Sequence, residues 1–447
     1  MSKDLTTGVI QTKNKPIIFS VKENSFEFCF MTDSIYSFAG KNQPVNIPTT
    51  DGFICGKTHE NYNIAIYLGN SPFEIFGTGT LNTSAYIKSN SNTFGENIME
   101  YEAIQFVGGT LNNVFHINGI DIDYENGDTV IRYNDDSISY TVVTSENSME
   151  LDVRSSVNEH RGVQGNSISN NNAILTLKFD KPQPLVKLFD HYNRIKDLLS
   201  FMTFRDNVGF EKIHLLKTHP DVHHLLTSAD VFIRGETELT AKDYYRNISF
   251  SDLGASLPNL LKLFYDTEDK KQTLSLGFLP ANDRDINIMT NTKIRSICSA
   301  LECELSFIKD IKEDKKPELE ALVKDVRYTV KEFRKNYTGL SNDTYNFIFS
   351  NINIWSFPLA EKLCDLYHKY EAEMVILNNS RIVITDDLIR AFVKYRNDIT
   401  HGKHRILEIG IAVTAHHMCG LVYCCILERI GIRSEDIKAL CQEKILS

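Results

Sequence analysis

No stretch of about 18 uninterrupted apolar residues, the length a membrane-crossing helix needs, occurs in this chain. The most apolar segment, 406–432, is interrupted by Glu408, His416, His417, Glu428 and Arg429 and is expected as a buried helix. The opening MSKDLTTGVIQTKNKPIIFS lacks the apolar core of a secretory signal, so a cytoplasmic protein without membrane association is expected. Nine irregularly spaced cysteines, an odd number, argue against a disulfide framework and read as reduced core thiols. There is no basic excess either: 48 Lys and Arg against 58 Asp and Glu give a net charge of -10. That balance argues against a constitutive nucleic-acid coat protein but leaves room for a local basic site. No internal repeat is visible.

What is present is ordinary globular usage, with 42% hydrophobic and 24% charged residues. At 447 residues the chain has room for two to three domains of roughly 100 to 200 residues each. From about Pro16 to Asp180 apolar residues alternate with polar ones, as in Ile64, Ile66 and Leu68 or Ile138, Tyr140 and Val142. That period of two belongs to half-buried strands. Asp51-Gly52, Asn118-Gly119 and Asn126-Gly127 are pairs that tolerate the positive φ of tight hairpin turns. The polar stretch 165–172 reads as a loop before a strand at Leu175, Leu177 and Phe179.

After Pro184 the period lengthens. Leu185, Leu188, Ile195, Leu198, Leu199 and Met202 mark a helix, followed by a mixed stretch with short apolar runs near Ile213 and Val231. From Ile286 onward five helical runs follow, and the charged stretch 309–318 joins the first two as a solvated connection. The fourth run begins after Thr385, an N-cap candidate with Asp386 and Asp387 suited to the positive end of the helix dipole. The fold class expected is α+β: a β-rich sandwich or barrel over 1–184, a mixed bridging region over 185–285 and a helical domain over 286–447.

Two groups of metal-type residues and one glycine pattern carry less. His214, His219, His223 and His224 match no standard zinc spacing. His416, His417, Cys419, Cys424 and Cys425 lie on the apolar last helix and read as core. Gly77, Gly79 and Gly108-Gly109 sit in strand-like surroundings without a following helix or lysine, which argues against a phosphate loop. Neither a metal nor a cofactor is expected.

The fourth helical run ends in KYRNDITHGKHR, 394–405, a basic cluster with a single Asp in an acidic chain. Asn397 and His401 are four residues apart and share a helix face, with Arg396 one step round. Gly402 suits a helix C-terminal cap, which puts His401 in the last turn beside free carbonyls. Arginine, asparagine and histidine there could be a capping arrangement. The same three residue types also suit RNA cleavage without metal. Histidine moves protons near neutral pH, arginine clamps phosphate through paired hydrogen bonds, and RNA supplies its own 2′-hydroxyl nucleophile. One histidine in the motif leaves the second proton-transfer role open, which a symmetric dimer bringing two copies of the helix end together would fill. Lys394, Lys403, His404 and Arg405 are expected, from charge alone, to contact phosphate.

The run Arg396 to His401, followed by Gly402 on the fourth helix of a C-terminal helical domain, resembles the R-x-x-x-x-H signature of HEPN ribonucleases. Ser299-Ala300-Leu301-Glu302 on the first helix resembles the opening of such domains. With a β-rich first half and the bridging segment 188–204, the layout is similar to the ApeA family of anti-phage proteins. The resemblance implies Arg396 and His401 as catalytic residues, Asn397 as their support, no metal, and a homodimer or higher oligomer with both motifs at one composite site. It also implies products with a cyclic 2′,3′-phosphate and a 5′-hydroxyl. The expected role is abortive infection: a single-stranded or tRNA-like RNA is cut when a phage-derived trigger, such as a phage protein, acts through the first domain. The alternative carried beside it is a non-catalytic HEPN-like module binding RNA or protein. A ligand-binding β-sandwich with a structural helical tail stands third.

Overall fold

Alternation at period two in the first half and at helical spacing in the last third both become regular structure, in a computed structural model that describes residues 5–12, 16–22, 26–31, 45–69, 74–75, 78–90, 98–115, 120–125, 128–133, 137–162, 165–235, 246–266, 276–281, 285, 288–308, 317–337, 339–355, 358–374 and 383–445. The fold is α+β, an antiparallel sheet followed by helices. The chain divides into two compact units, 1–266 and 267–447. The expected bridging region 185–285 therefore falls partly in each. Asn118-Gly119, Asn126-Gly127, Gly77 and residues 309–316 lie outside the described residues.

The first unit begins with β1 (Leu5–Ile10), β2 (Ile17–Lys22), β3 (Glu27–Met31), β4 (Val45–Asn46), β5 (Phe53–Thr58), β6 (Tyr62–Tyr67), β7 (Glu74–Ile75), β8 (Thr78–Asn82), β9 (Ala85–Asn90) and β10 (Glu100–Val107). After the four-residue helix α1 (Leu111–Val114) come β11 (Ile120–Glu125), β12 (Asp128–Tyr133), β13 (Ser137–Val143), β14 (Ser148–Gly162) and β15 (Gly165–Pro184). Helix α2 (Leu188–Thr203), β16 (Lys212–Thr218), β17 (Leu225–Ile233), α3 (Phe250–Leu253) and α4 (Leu257–Tyr265) complete it. Thirteen strands make one sheet in the order β13-β14-β15-β10-β16-β17-β9-β6-β5-β1-β2-β3-β8, while β4-β7 and β11-β12 pair separately.

Strands β8 and β9 are consecutive in the chain, separated only by Thr83 and Ser84, yet five strands lie between them in the sheet. A two-residue connection can span that gap only if the seven strands from β9 to β8 curl round into a barrel. Cross-wall contacts agree: Phe28 on β3 meets Tyr86 on β9 at a ring separation of 5.5 Å, and Thr83 N–H donates to Phe26 O at 2.9 Å. Ile10, Ile17, Phe19, Phe28, Phe30, Ile54, Ile64 and Ile66 fill the barrel. Asp51 (φ 49°) and Gly52 (φ 81°) form the tight turn expected of them, with Thr50 and Phe53 bonded both ways.

In the other strands register turns alternation into layers. Val153, Leu175, Phe106, Ile213 and Val231 lie side by side across β14, β15, β10, β16 and β17. All are buried, and α2 and α4 supply Ile195, Leu198, Leu257 and Leu261 to the core of the unit. The intervening row Asp152, Thr176, Gln105, His214 and Asp230 is polar, as period two requires. The mixed stretch with apolar runs near Ile213 and Val231 is thus two central strands.

Two sequence expectations change here. Residues 165–172, expected as a loop, are strand: β15 pairs with β14 from Met149↔Phe179 out to Gly162↔Gly165, so the hairpin runs on past the hydrophobic pattern. Ladder hydrogen bonds need no apolar side chains, so polarity alone hid it. A helix does follow Gly108-Gly109, namely α1, but Thr110 Oγ1 there accepts Gly209 N–H at 3.0 Å, and the two glycines (φ 65° and 64°) serve a tight turn. At Gly109 there is also no room for a side chain: a Cβ would sit 2.5 Å from Gly209 O.

The second unit is helical: α5 (Asn291–Leu305), α6 (Pro317–Asn336), α7 (Asn342–Trp355), α8 (Leu359–Lys369), α9 (Glu371–Met374), α10 (Asp386–Thr400), α11 (Ile409–Arg429) and α12 (Ser434–Leu440), with a π-helical turn over Cys441–Ile445. Helix α11 is long and apolar enough to cross a membrane, with 67% of its most apolar window buried inside the unit. It is the central helix, apolar all round, and α5 and α10 pack on it. Ile294, Ile297 and Leu301 of α5 and Ile389, Phe392 and Ile399 of α10 complete this core, and so hold the end of α10 in place.

Candidate functional site

Thr385 caps the start of α10 through its hydroxyl, which accepts Leu388 N–H at 3.4 Å, with Asp386 and Asp387 in the first turn. The other end is closed as completely. Gly402 takes φ +75°, and a Schellman motif follows: Lys403 N–H donates to Asp398 O at 2.9 Å and Gly402 N–H to Ile399 O at 3.3 Å. His401 N–H donates to Asn397 O at 3.0 Å, and the Thr400 hydroxyl to Arg396 O at 2.7 Å. Arg295 of α5 also donates to Ile399 O. The carbonyls of Arg396, Asn397, Asp398 and Ile399 are therefore all satisfied without the His401 side chain. His401 is exposed, and its imidazole has no hydrogen-bond partner among the described residues. Capping accounts for Gly402 but leaves that ring unexplained.

Arg396 is half-buried and held from two sides. Its Nη2 donates to Glu302 Oε1 at 2.9 Å, and its Nη1 donates to Asn397 Oδ1 at 3.1 Å. Glu302 reaches it from α5, so the pairing exists only because α5 and α10 lie together in the core. Cys298, one turn earlier on α5, is buried, and burial pushes its thiol up to about 12, against a lowering influence of Arg396. It stays protonated and is no nucleophile.

The phosphate contacts expected from charge divide. Lys403 Nζ and Arg405 Nη2 each lie 2.8 Å from the carboxylate of Asp398, which they share. Tyr395 donates to Asn291 Oδ1 at 2.9 Å and to the Arg405 carbonyl at 3.5 Å, tying the same loop to the start of α5. Lys403 and Arg405 thus form a clasp closing the loop after the helix. Lys394 and His404 are exposed. Glu302, Arg295 and Asp398 were not among the expected site residues. Asp398 carried a signal as the one acid inside the basic run, and Glu302 only as the last residue of the Ser299–Glu302 segment.

The Asp398 carboxyl is held below its ordinary value of 3.8, first by the Lys403 hydrogen bond and then by that of Arg405. A carboxyl whose folded pKa is depressed contributes stability above its unfolded value and loses it as pH falls through the folded one. Asp398→Asn is therefore expected to melt below the parent from neutral pH down to about 4, with the difference shrinking as pH falls further. Thermal melts of both proteins across that range check it.

The histidine stretch is dispersed. His214 on β16 pairs with Asp230 at 2.7 Å, while His219 and His224 close the β16–β17 hairpin through backbone bonds. On α11 burial pushes His417 down to about 4 and Cys419 up to about 12. Among the described residues no three His, Cys, Asp or Glu side chains are grouped to hold a metal ion. Comparison with known proteins yields no matching family model, no matching curated protein and no matching solved structure.

Proposed function

We propose that the chain is a metal-independent HEPN-type endoribonuclease acting in anti-phage defence, with Arg396, Asn397 and His401 as its catalytic set. The observation that carries it is the exposed imidazole of His401, without a hydrogen-bond partner among the described residues at a helix end where the carbonyls of Arg396 to Ile399 are satisfied by other groups, beside an arginine held by Glu302 and Asn397.

In this reading the RNA 2′-oxygen attacks the adjacent phosphorus and the bond from phosphorus to the 5′-oxygen breaks, leaving a cyclic 2′,3′-phosphate and a 5′-hydroxyl. One histidine takes the 2′-hydroxyl proton and another gives a proton to the departing 5′-oxygen. Arg396 neutralises the non-bridging oxygens, Asn397 fixes its guanidinium, and Glu302 holds it extended until phosphate replaces the carboxylate. The second histidine comes from a second copy. Ile406 and Ile409, 83% and 77% exposed just beyond the clasp, provide an apolar surface on which two copies can meet. The first unit senses the phage signal or restrains the second until it arrives.

Incubating the purified chain with single-stranded RNA and with tRNA under EDTA, then mapping 5′-hydroxyl ends, tests this. Cleavage with cyclic phosphate ends supports it. RNA that is bound and recovered intact replaces it with the non-catalytic binding module.

A further inference from the structure

Beyond the site, helix α6 carries a row of exposed cations. Lys324, Arg327, Lys331 and Lys335 stand at intervals of three, four and four residues, with Tyr328 inside the series. On an α-helix that spacing puts all five side chains on one face, over about 16 Å of axis. All five residues are exposed, Tyr328 at 66%. Among the described residues Lys324, Arg327 and Lys331 make no ion pair, and Lys335 has only the exposed Glu332, at 2.7 Å, one turn away. A cleft of about 710 Å³ follows this face, lined by Lys324, Arg327, Tyr328 and Lys331 together with Val323 and the carboxylates of Glu320 and Asp325. Elsewhere on the helix Val326 and Val330 are half-buried, and α7 packs on α6.

We infer that this face of α6 binds the backbone of single-stranded nucleic acid, with Tyr328 stacking on a base. In a chain of net charge -10 four cations on one helix face are a local exception, and a cation row alone would suit any polyanion. The exposed tyrosine within the row favours nucleic acid, because an aromatic face among phosphate-binding cations offers an unpaired base a platform. The contrast with the end of α10 supports it: Lys403 and Arg405 already share Asp398, and Arg396 has Glu302, so those cations must first give up a carboxylate. Lys324, Arg327 and Lys331 have no such cost among the described residues; Lys335 alone would leave Glu332. The inference deepens the ribonuclease reading by naming where substrate is gripped away from the cutting residues, and only in calling the ligand substrate does it rest on that reading.

The test measures binding without cleavage. Full-length protein carrying His401→Ala is titrated against a fluorescent single-stranded 20-nucleotide RNA by anisotropy, at several salt concentrations. Against that parent, Lys324→Gln/Arg327→Gln/Lys331→Gln is expected to bind more weakly and to flatten the slope of log affinity against log salt by about 2, at roughly 0.7 per lost phosphate contact. Tyr328→Ala is expected to weaken binding about tenfold while leaving the slope unchanged. The substituted residues are exposed, and circular dichroism and melting confirm that each variant folds. An unchanged affinity and slope in the triple variant overturns the inference. So does binding to anionic phosphatidylglycerol vesicles, lost in the triple variant, with none to RNA. If the catalytic reading alone is wrong, the unmutated chain leaves RNA whole and the α6 effects on binding persist.

Discussion

His401→Ala is expected to cut single-stranded RNA about 10²- to 10⁴-fold more slowly than the parent, with an unchanged melting temperature. In the proposed mechanism the rate falls because a proton-transfer group is lost from each copy of the motif. The melting temperature stays because the imidazole is exposed and unbonded, while the cap it adjoins is made by backbone groups, Thr400 and Arg295. Arg396→Ala should match the loss of cleavage but differ in stability. It removes the partner of Glu302, though at a partly exposed pair whose net worth is at most about 1 kcal/mol. Arg396→Lys separates charge from geometry: it keeps the cation but not the two-sided grip of Asn397 and Glu302, so partial activity at best is expected. Gel-based cleavage rates and thermal melts on the four proteins decide. A His401→Ala enzyme with parental activity removes the catalytic assignment, and a large drop in its melting temperature returns His401 to a structural role.

Arg429→Leu should destabilise the protein by about 3–5 kcal/mol, and adding Glu304→Leu should recover much of that. The Glu304 side chain is 1% exposed, and Arg429 Nη2 sits 3.0 Å from its Oε1, joining the end of α11 to the end of α5. The guanidinium also lies 4.1 Å from the ring centre of Phe307, a cation–π contact in a desolvated setting. Removing the arginine alone takes the counter-charge from a carboxylate buried in the core, which costs far more than the pair contributes. Removing both leaves apolar surfaces that can repack. Chemical denaturation of the two single variants and the double one gives the coupling directly. If the double variant is as unstable as Arg429→Leu, the pair is not the source of the loss. Because α5 carries Glu302, the destabilised variant should also lose cleavage near its unfolding transition.

Much of the architecture was legible because each apolar position states its period. Leu175, Leu177 and Phe179 read as strand residues and are buried on β15, and Leu188, Ile195, Leu198, Leu199 and Met202 read as one helix and are buried on α2. The N-cap at Thr385 and the cap at Gly402 were equally readable, since both depend on residues within one turn. The outer half of the β14–β15 hairpin was not, because its backbone ladder leaves no apolar pattern. Nor was the curl of β9 to β8, which shows only when sheet order is set beside the two-residue connection.

For the candidate site the division follows the range of the interactions. By itself the sequence determined the end of α10: Asn397 and His401 on one face, Gly402 stopping the helix, cations gathered after it, and two fold classes in order along the chain. The tertiary structure alone decided which of those cations are spoken for. Glu302 meets Arg396 from 94 residues away, Arg295 reaches Ile399 from 104 away, and Asp398 collects Lys403 and Arg405 once the loop folds back. A charge in a sequence has a sign and no address. Its partner is chosen by whichever helices the core brings together, and here that choice left the imidazole of His401 and the basic face of α6 open.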